Sequence, residues 1–162
     1  MADRSPDCHV GERPGPGRRV TPTPQPMQVT IPGHLFERLP FYDVVDDDDT
    51  VVVDLQNRED LVNIRGALQG GLLATLIDVA GGRLAIKYAK AGAGTADMTI
   101  HFLAPIVEGP ARATATLVRA GKRLIVVAVD VVDVARDRLA ARATLSFAVM
   151  EPRESGQPAT AP

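Results

Sequence analysis

The chain has a single cysteine, Cys8, no tryptophan, two tyrosines and four phenylalanines in 162 residues. A lone cysteine excludes an intrachain disulfide, and the default compartment for such a protein is a reducing cytoplasm. With so few aromatic rings, the core has to be built from Val, Leu, Ile and Ala. No apolar run reaches the ~18 residues that suggest a membrane span. The N-terminal residues also lack the apolar core of a secretory signal. Net charge is −2, without the basic excess that marks a nucleic-acid partner. The three histidines, His9, His34 and His101, are scattered, and none stands at metal-ligand spacing from a cysteine or carboxylate, so no protein metal site is expected. Neither GxGxxG nor GxxxxGK[ST] occurs, which removes the usual nucleotide-phosphate loops.

What is present is unevenly spread. Residues 1–33 hold seven of the thirteen prolines, including PTPQP at 22–26. Proline lacks a backbone donor and holds an extended φ, so this stretch is expected to be a disordered tail, as is 152–162. One folded domain is then expected over residues 34–151. Within it, HLFERL (34–39) suits a short helix before Pro40. FYDVV (41–45) and TVVVDLQ (50–56) read as strands around the acidic run Asp46–Asp49. That run lacks the spaced ligands, central Gly and final Glu of a calcium loop, and is expected to be a solvated turn.

Residues 70–90 are the one long helical candidate, and four strand-like runs follow at 95–103, 110–118, 123–134 and 138–150. Two of these runs alternate cleanly. Arg112, Thr114 and Thr116 oppose Ala111, Ala113, Ala115 and Leu117; Arg142, Thr144 and Ser146 oppose Ala141, Ala143, Leu145 and Phe147. A period of two fits antiparallel strands with one wet and one buried face. Gly121-Lys122 and Arg136-Asp137 mark hairpin turns. The fold class is α+β, with one long helix lying on an antiparallel sheet.

On a helical wheel at ~100° per residue, Gly71, Ala74, Thr75, Gly81, Gly82 and Ala85 fall within about 60° of Asp78. Leu73, Leu76, Ala80 and Leu84 lie opposite, flanked by Leu72 and Ile77. One face is therefore apolar and suits the sheet. The other is made of small residues around a single carboxylate. Glycine costs a helix about 1 kcal/mol relative to alanine, so a close approach by a second helix or a ligand is expected there. A carboxylate in that position suits a base or nucleophile. Gly70 and Gly71 fall at the helix start, where backbone N–H groups lack intrahelical partners and the helix dipole favours negative charge. An oxyanion formed from a carbonyl would be stabilised there.

The spacing N-IRGAL-QGG-LLATLI-D (63–78) resembles the hotdog-fold acyl-CoA thioesterases of the PaaI-like branch, within the 4-hydroxybenzoyl-CoA thioesterase superfamily. The segments TADMTIHFLAPIVEG (95–109), ATLVRAGKRLIVVAVDV (115–131) and LAARATLSFAV (139–149) continue the resemblance, which covers about residues 40–150. It implies a hotdog fold, a long helix wrapped by a curved antiparallel sheet. It also implies paired subunits, a homodimer or dimer of dimers, with each active site at their junction. The implied activity is hydrolysis of an acyl-CoA thioester, with CoA entering as part of the substrate and no other cofactor. Asp78 would be base or nucleophile, and the Gly70 N–H, with Gly71, the oxyanion donor. Asn63 would orient water or substrate, and Gln69, where the family has His, would support the carbonyl. Thr95 matches a position that contributes from the partner subunit, although strict alternation sets it opposite Met98, Ile100 and Phe102, so that only a bulge or the strand's end brings it to the site. The phosphates of CoA call for cations, and Arg119, Lys122 and Arg123 around the Gly121 hairpin are the candidates; a hairpin tip is equally a place for solvated charge. His101 reads as a strand histidine. The alternative function is a hotdog protein that binds acyl-CoA without hydrolysing it, as sensor or scaffold.

Overall fold

A computed structural model describes residues 23–150. Seven strands form one antiparallel sheet: β1 (Gln25–Pro26), β2 (Phe41–Asp46), β3 (Thr50–Leu55), β4 (Ala93–Phe102), β5 (Ala111–Ala120), β6 (Leu124–Asp133) and β7 (Arg138–Val149). Their order across the sheet is β1-β2-β3-β5-β6-β7-β4, so β4 is an edge strand although it follows the helix directly in sequence. The helix α1 (Gly70–Tyr88) packs on β3, β4, β5, β6 and β7. This is the expected hotdog arrangement, one helix against a curved antiparallel sheet. Short 3₁₀ turns at Leu35–Arg38 and Glu59–Leu61 lead into β2 and toward the helix. No helix among the described residues is long and apolar enough to cross a membrane.

The alternation read from β5 and β7 is the one that fills the core. Ala111, Ala113, Ala115, Ala141, Ala143, Leu145 and Phe147 are buried, and β6 adds Ile125, Val127, Val129 and Val131. From the helix, Leu73, Leu76, Ile77, Ala80 and Leu84 meet them. Each large aliphatic group here gains roughly 1.5–3 kcal/mol from leaving water. The alanines under the helix let it sit close to the sheet. On the other face of β3, Asp54 is buried and takes a two-pronged pair of bonds from Arg112 of β5, at 2.7 and 2.8 Å. That bond holds the Arg112 guanidinium above its ordinary value.

Three expectations change. First, Gly81 and Ala85, placed by the wheel on the small-residue face, are buried against the sheet. A Cβ on Gly81 would stand 3.3 Å from the Phe147 ring and 3.4 Å from Leu145. The curved sheet covers a wider arc of the helix than a flat one, so the glycine serves helix–sheet contact. Second, the run Asp46–Asp49 is exposed, as expected of a solvated turn, but it also binds the helix. Arg83 bonds Asp43 and Asp46, Lys87 bonds Asp46 and the Asp47 carbonyl, and the Tyr88 hydroxyl reaches Asp49 at 2.9 Å. The acidic loop thus clamps the C-terminal half of the helix. Third, the stretch expected to be a tail overlaps the described part at residues 23–33, and there it lies on the domain. Gln25 and Pro26 pair with Asp43 and Tyr42, and the Met27 N–H donates to the Phe41 carbonyl at 2.9 Å. The remainder of that tail, 1–22 with Cys8 and His9, and the tail at 152–162 lie outside the described residues.

Candidate active site

The helix start is built by the loop before it. The Asn63 side-chain oxygen accepts from the N–H groups of Arg65 (2.8 Å) and Ala67 (3.4 Å), and the Asn63 N–H donates to the Ala67 carbonyl at 2.7 Å. This closes a tight turn that includes Gly66 at φ 74°, a left-handed position that suits glycine. The Leu68 N–H then bonds the Ile106 carbonyl and the Gln69 N–H the Leu61 carbonyl, which aims the chain into the helix. The Asn63 oxygen is therefore occupied in bracing the loop. Gln69 is the N-cap: its backbone carbonyl accepts from Leu72 and Leu73, while its exposed side chain makes no capping bond.

Gly70 and Gly71 come next, and both are exposed. Among the described residues, their N–H groups have no acceptor outside the helix, and the first turn offers them none within it. A Cβ on Gly71 would meet nothing within 4 Å, and one on Gly70 would only touch the Phe102 ring at 3.9 Å. The fold itself has no need of glycine here. Gly70 and Asn63 share a cleft of about 330 Å³ with Leu73, Phe102, Pro105 and Ile106.

Asp78 is half-buried on the outer side of the helix. The Thr95 hydroxyl donates to its Oδ1 at 2.6 Å. The pairing of β4 with β7 runs Thr95↔Phe147 and then Asp97↔Ser146, so Ala96 is an extra residue. This bulge shifts the alternation and turns Thr95 toward the helix. The resemblance had Thr95 serving a partner's site; here it binds the carboxylate of its own chain. Elsewhere on this face, the Thr75 hydroxyl folds back onto the Gly71 carbonyl at 3.0 Å.

The structure does not bring every candidate together. Asp78 is eight residues beyond Gly70, about 12 Å along the axis at ~1.5 Å per residue. Asp78 accordingly lines a different cleft, with residues 27–36, and not the one that holds Gly70 and Asn63. Lys122 and Arg123 lie at the far end of the helix, in a cleft of about 770 Å³ shared with Tyr88 and Lys90. That is roughly 27 Å from Gly70 by the same helical rise. Arg119 is exposed on β5, outside the lining of that cleft, and His101 is exposed on β4 opposite Arg142. The tip of the β5–β6 hairpin shares that cleft with the helix C-terminus, so within one chain Lys122 and Arg123 lie far from the glycines. Among the described residues, no group of three or more His, Cys, Asp or Glu is placed to hold a metal ion.

A helix gripped by an antiparallel sheet, with glycine amides free at its start and a carboxylate held on its outer face, defines a hotdog protein. The family model described as thioesterase superfamily matches residues 65–140. A provisionally named esterase of Saccharolobus solfataricus is 31% identical over 100 residues, which span 61% of this chain and 71% of that one. The chain belongs to the thioesterase superfamily. Among solved structures it is similar to the E. coli PaaI protein from the phenylacetic acid degradation operon. That likeness has a TM-score of 0.67 at 22% identity, over 72% of this chain and 83% of that one. It is also similar to a Streptococcus mutans protein solved bound to acetyl CoA, with a TM-score of 0.64 at 25% identity, over 70% of this chain and 91% of that one. The fold is that of the PaaI-like hotdog thioesterases.

Proposed function

We propose that the protein hydrolyses an acyl-CoA thioester to the free acid and CoA. The observation that carries this reading is the Thr95–Asp78 hydrogen bond of 2.6 Å on the outer face of the helix. A hydroxyl that donates to one carboxylate oxygen fixes the group's orientation and leaves the other oxygen for chemistry. As a base, Asp78 takes a proton from water while the oxygen adds to the thioester carbonyl carbon. The C–S bond then breaks, and the leaving sulfur takes the proton back from Asp78. As a nucleophile, Asp78 attacks the carbonyl itself, the C–S bond breaks and CoA leaves as its thiolate, which takes a proton from solvent, and water then cleaves the resulting anhydride to the free acid and the Asp78 carboxylate. Transfer of ¹⁸O from solvent into Asp78 under single turnover separates the two routes.

The carbonyl oxygen needs donors as it gains charge, and the Gly70 amide, with Gly71, is suited to that task. The ~12 Å between Gly70 and Asp78 on one helix is too long for both to act on one carbonyl. The site is therefore assembled from two copies, Asp78 from one and the Gly70 amide from the other. The exposed β4 edge and the small-residue helix face supply surface for that pairing. Arg119, Lys122 and Arg123 serve the phosphates of CoA only from a neighbouring copy or along the extended length of the ligand.

Thiol release from a panel of acyl-CoA esters tests the reading. Asp78→Asn is expected to reduce kcat about 10²–10⁴-fold, the usual contribution of a positioned acid–base group. A variant with unchanged thiol release excludes Asp78 from the chemistry. A wild-type protein that binds acyl-CoA and releases no thiol is the sensor or scaffold instead.

A further inference from the structure

The cleft that holds Asp78 has a wall lying outside the superfamily match, which begins at residue 65. Residues 27–36 run beside the outer side of the helix and enclose with it a groove of about 370 Å³. The segment is anchored at both ends. β1 pairs with β2 and Met27 bonds Phe41 on one side, while Phe36 packs on the core on the other. The apolar lining is Met27, Val29, Ile31 and Phe36 from the segment, with Val79 and Ile86 from the helix. Ile31 and Ile86 are 62% and 54% exposed, apolar surface that the fold leaves uncovered.

We propose that this groove receives the acyl chain of the substrate and selects straight aliphatic chains of medium length; the proposal rests on the thioesterase reading above. The thioester carbonyl would sit at Asp78, which lines the same groove. The CoA phosphates are poor occupants. Arg83 also lines the groove, but its guanidinium is held by Asp43 and Asp46, and Asp78 repels an anion. An aromatic acyl group is a weaker fit. Phe36 already meets His34 and Phe41 edge-on, with ring centres 4.7 and 5.5 Å away, and the other apolar walls are flexible or branched aliphatics. At about 30 Å³ per group, the volume share of a water molecule, the groove holds about a dozen groups, which after the carbonyl leaves chains of about eight to ten carbons.

The test uses the full-length protein, acetyl- to hexadecanoyl-CoA as substrates, and decyl-CoA thioether as a probe that cannot be hydrolysed. In the wild type, kcat/KM is expected to rise about fourfold per methylene up to the decanoyl ester and then fall, as burial of a methylene implies. Ile86→Trp and Ile31→Trp, at exposed positions that folding tolerates, narrow the groove. Each is expected to lower the decanoyl-to-acetyl ratio of kcat/KM at least tenfold and to abolish protection of the Tm by the thioether. Thiol release with an unchanged chain-length profile in both variants overturns the groove and leaves the thioesterase reading standing. Thioether protection that the tryptophans abolish, without thiol release by the wild type, supports the groove and overturns the hydrolase. Neither release nor protection overturns both. A change of oligomeric state by light scattering with the profile unchanged makes the groove a subunit contact and also overturns the proposal.

Discussion

The two ends of one helix carry glycine pairs for opposite reasons. Gly81 and Gly82 lie against Phe147, where an added Cβ would stand 3.3 and 3.6 Å from the ring. The same half of the helix is tied down by Arg83, Lys87 and Tyr88 to the acidic loop. Gly70 and Gly71 have open space around them and amides without acceptors among the described residues. Glycine costs about 1 kcal/mol relative to alanine in a helix interior, and less in the first turn. At Gly81, in the C-terminal half, the protein's own packing accounts for it, while 3.6 Å at Gly82 is ordinary contact. At the N-terminal end no packing contact within the described residues does, and the proposed oxyanion role would supply a reason.

The sharpest way to break this contrast is Gly70→Pro. Proline is favoured at the first helical position, and Gln69, at φ −58° and ψ 129°, already has the conformation that precedes it. The substitution removes one N–H with little disturbance to the helix. Thiol release is expected to fall about 10²–10³-fold with Tm nearly unchanged; a fully active variant removes the oxyanion role. Gly81→Leu should do the reverse. Forcing a side chain against Phe147 and Leu145 is expected to cost about 1–3 kcal/mol in urea unfolding, while kcat per folded molecule holds.

Gly71→Ala is a smaller probe. With nothing to clash against, alanine should stabilise the chain by up to about 1 kcal/mol, read as a higher Tm, and any loss of activity then reports on the approach of substrate or second copy. The smallest effect belongs to the clamp. Burial works to raise the Asp46 carboxyl, but bonds from Lys87 and Arg83 outweigh it and hold the group below its ordinary 3.8. The unfolded chain then binds the proton more readily, so the clamp's stability is whole above 3.8 and is lost as pH falls through the folded value. The Tm difference between wild type and Asp46→Asn should be greatest above about pH 4 and close below it. A difference that is constant with pH would show that the acidic loop does not hold the helix electrostatically.

Local pattern made much of this legible. The alternation in β5 and β7 named the buried faces correctly, and the glycine–aspartate spacing located the helix start and the carboxylate. Other features rest on contacts between distant parts of the chain. Arg83 and Lys87 meet an acidic run some forty residues earlier. Asp54 looks like any strand aspartate until Arg112 is brought beside it, fifty-eight residues on. Proline content made residues 23–33 look like a tail, yet their pairing with β2 gives the extended chain a partner. Strict alternation also turned Thr95 away from the helix, and one extra residue at Ala96 turns it back.

By itself the sequence determined the element types, the two-sided character of the helix and the chemistry available on each side, because those depend on periodicities of 2 and 3.6 residues within a single segment. Only the tertiary structure decided how much of the helix the sheet covers, that Gly81 is packed against Phe147 while Gly70 stands open, and that Asp78 is held by Thr95. Those outcomes depend on sheet curvature, a bulge and pairings between residues far apart in the chain, and no local pattern encodes them.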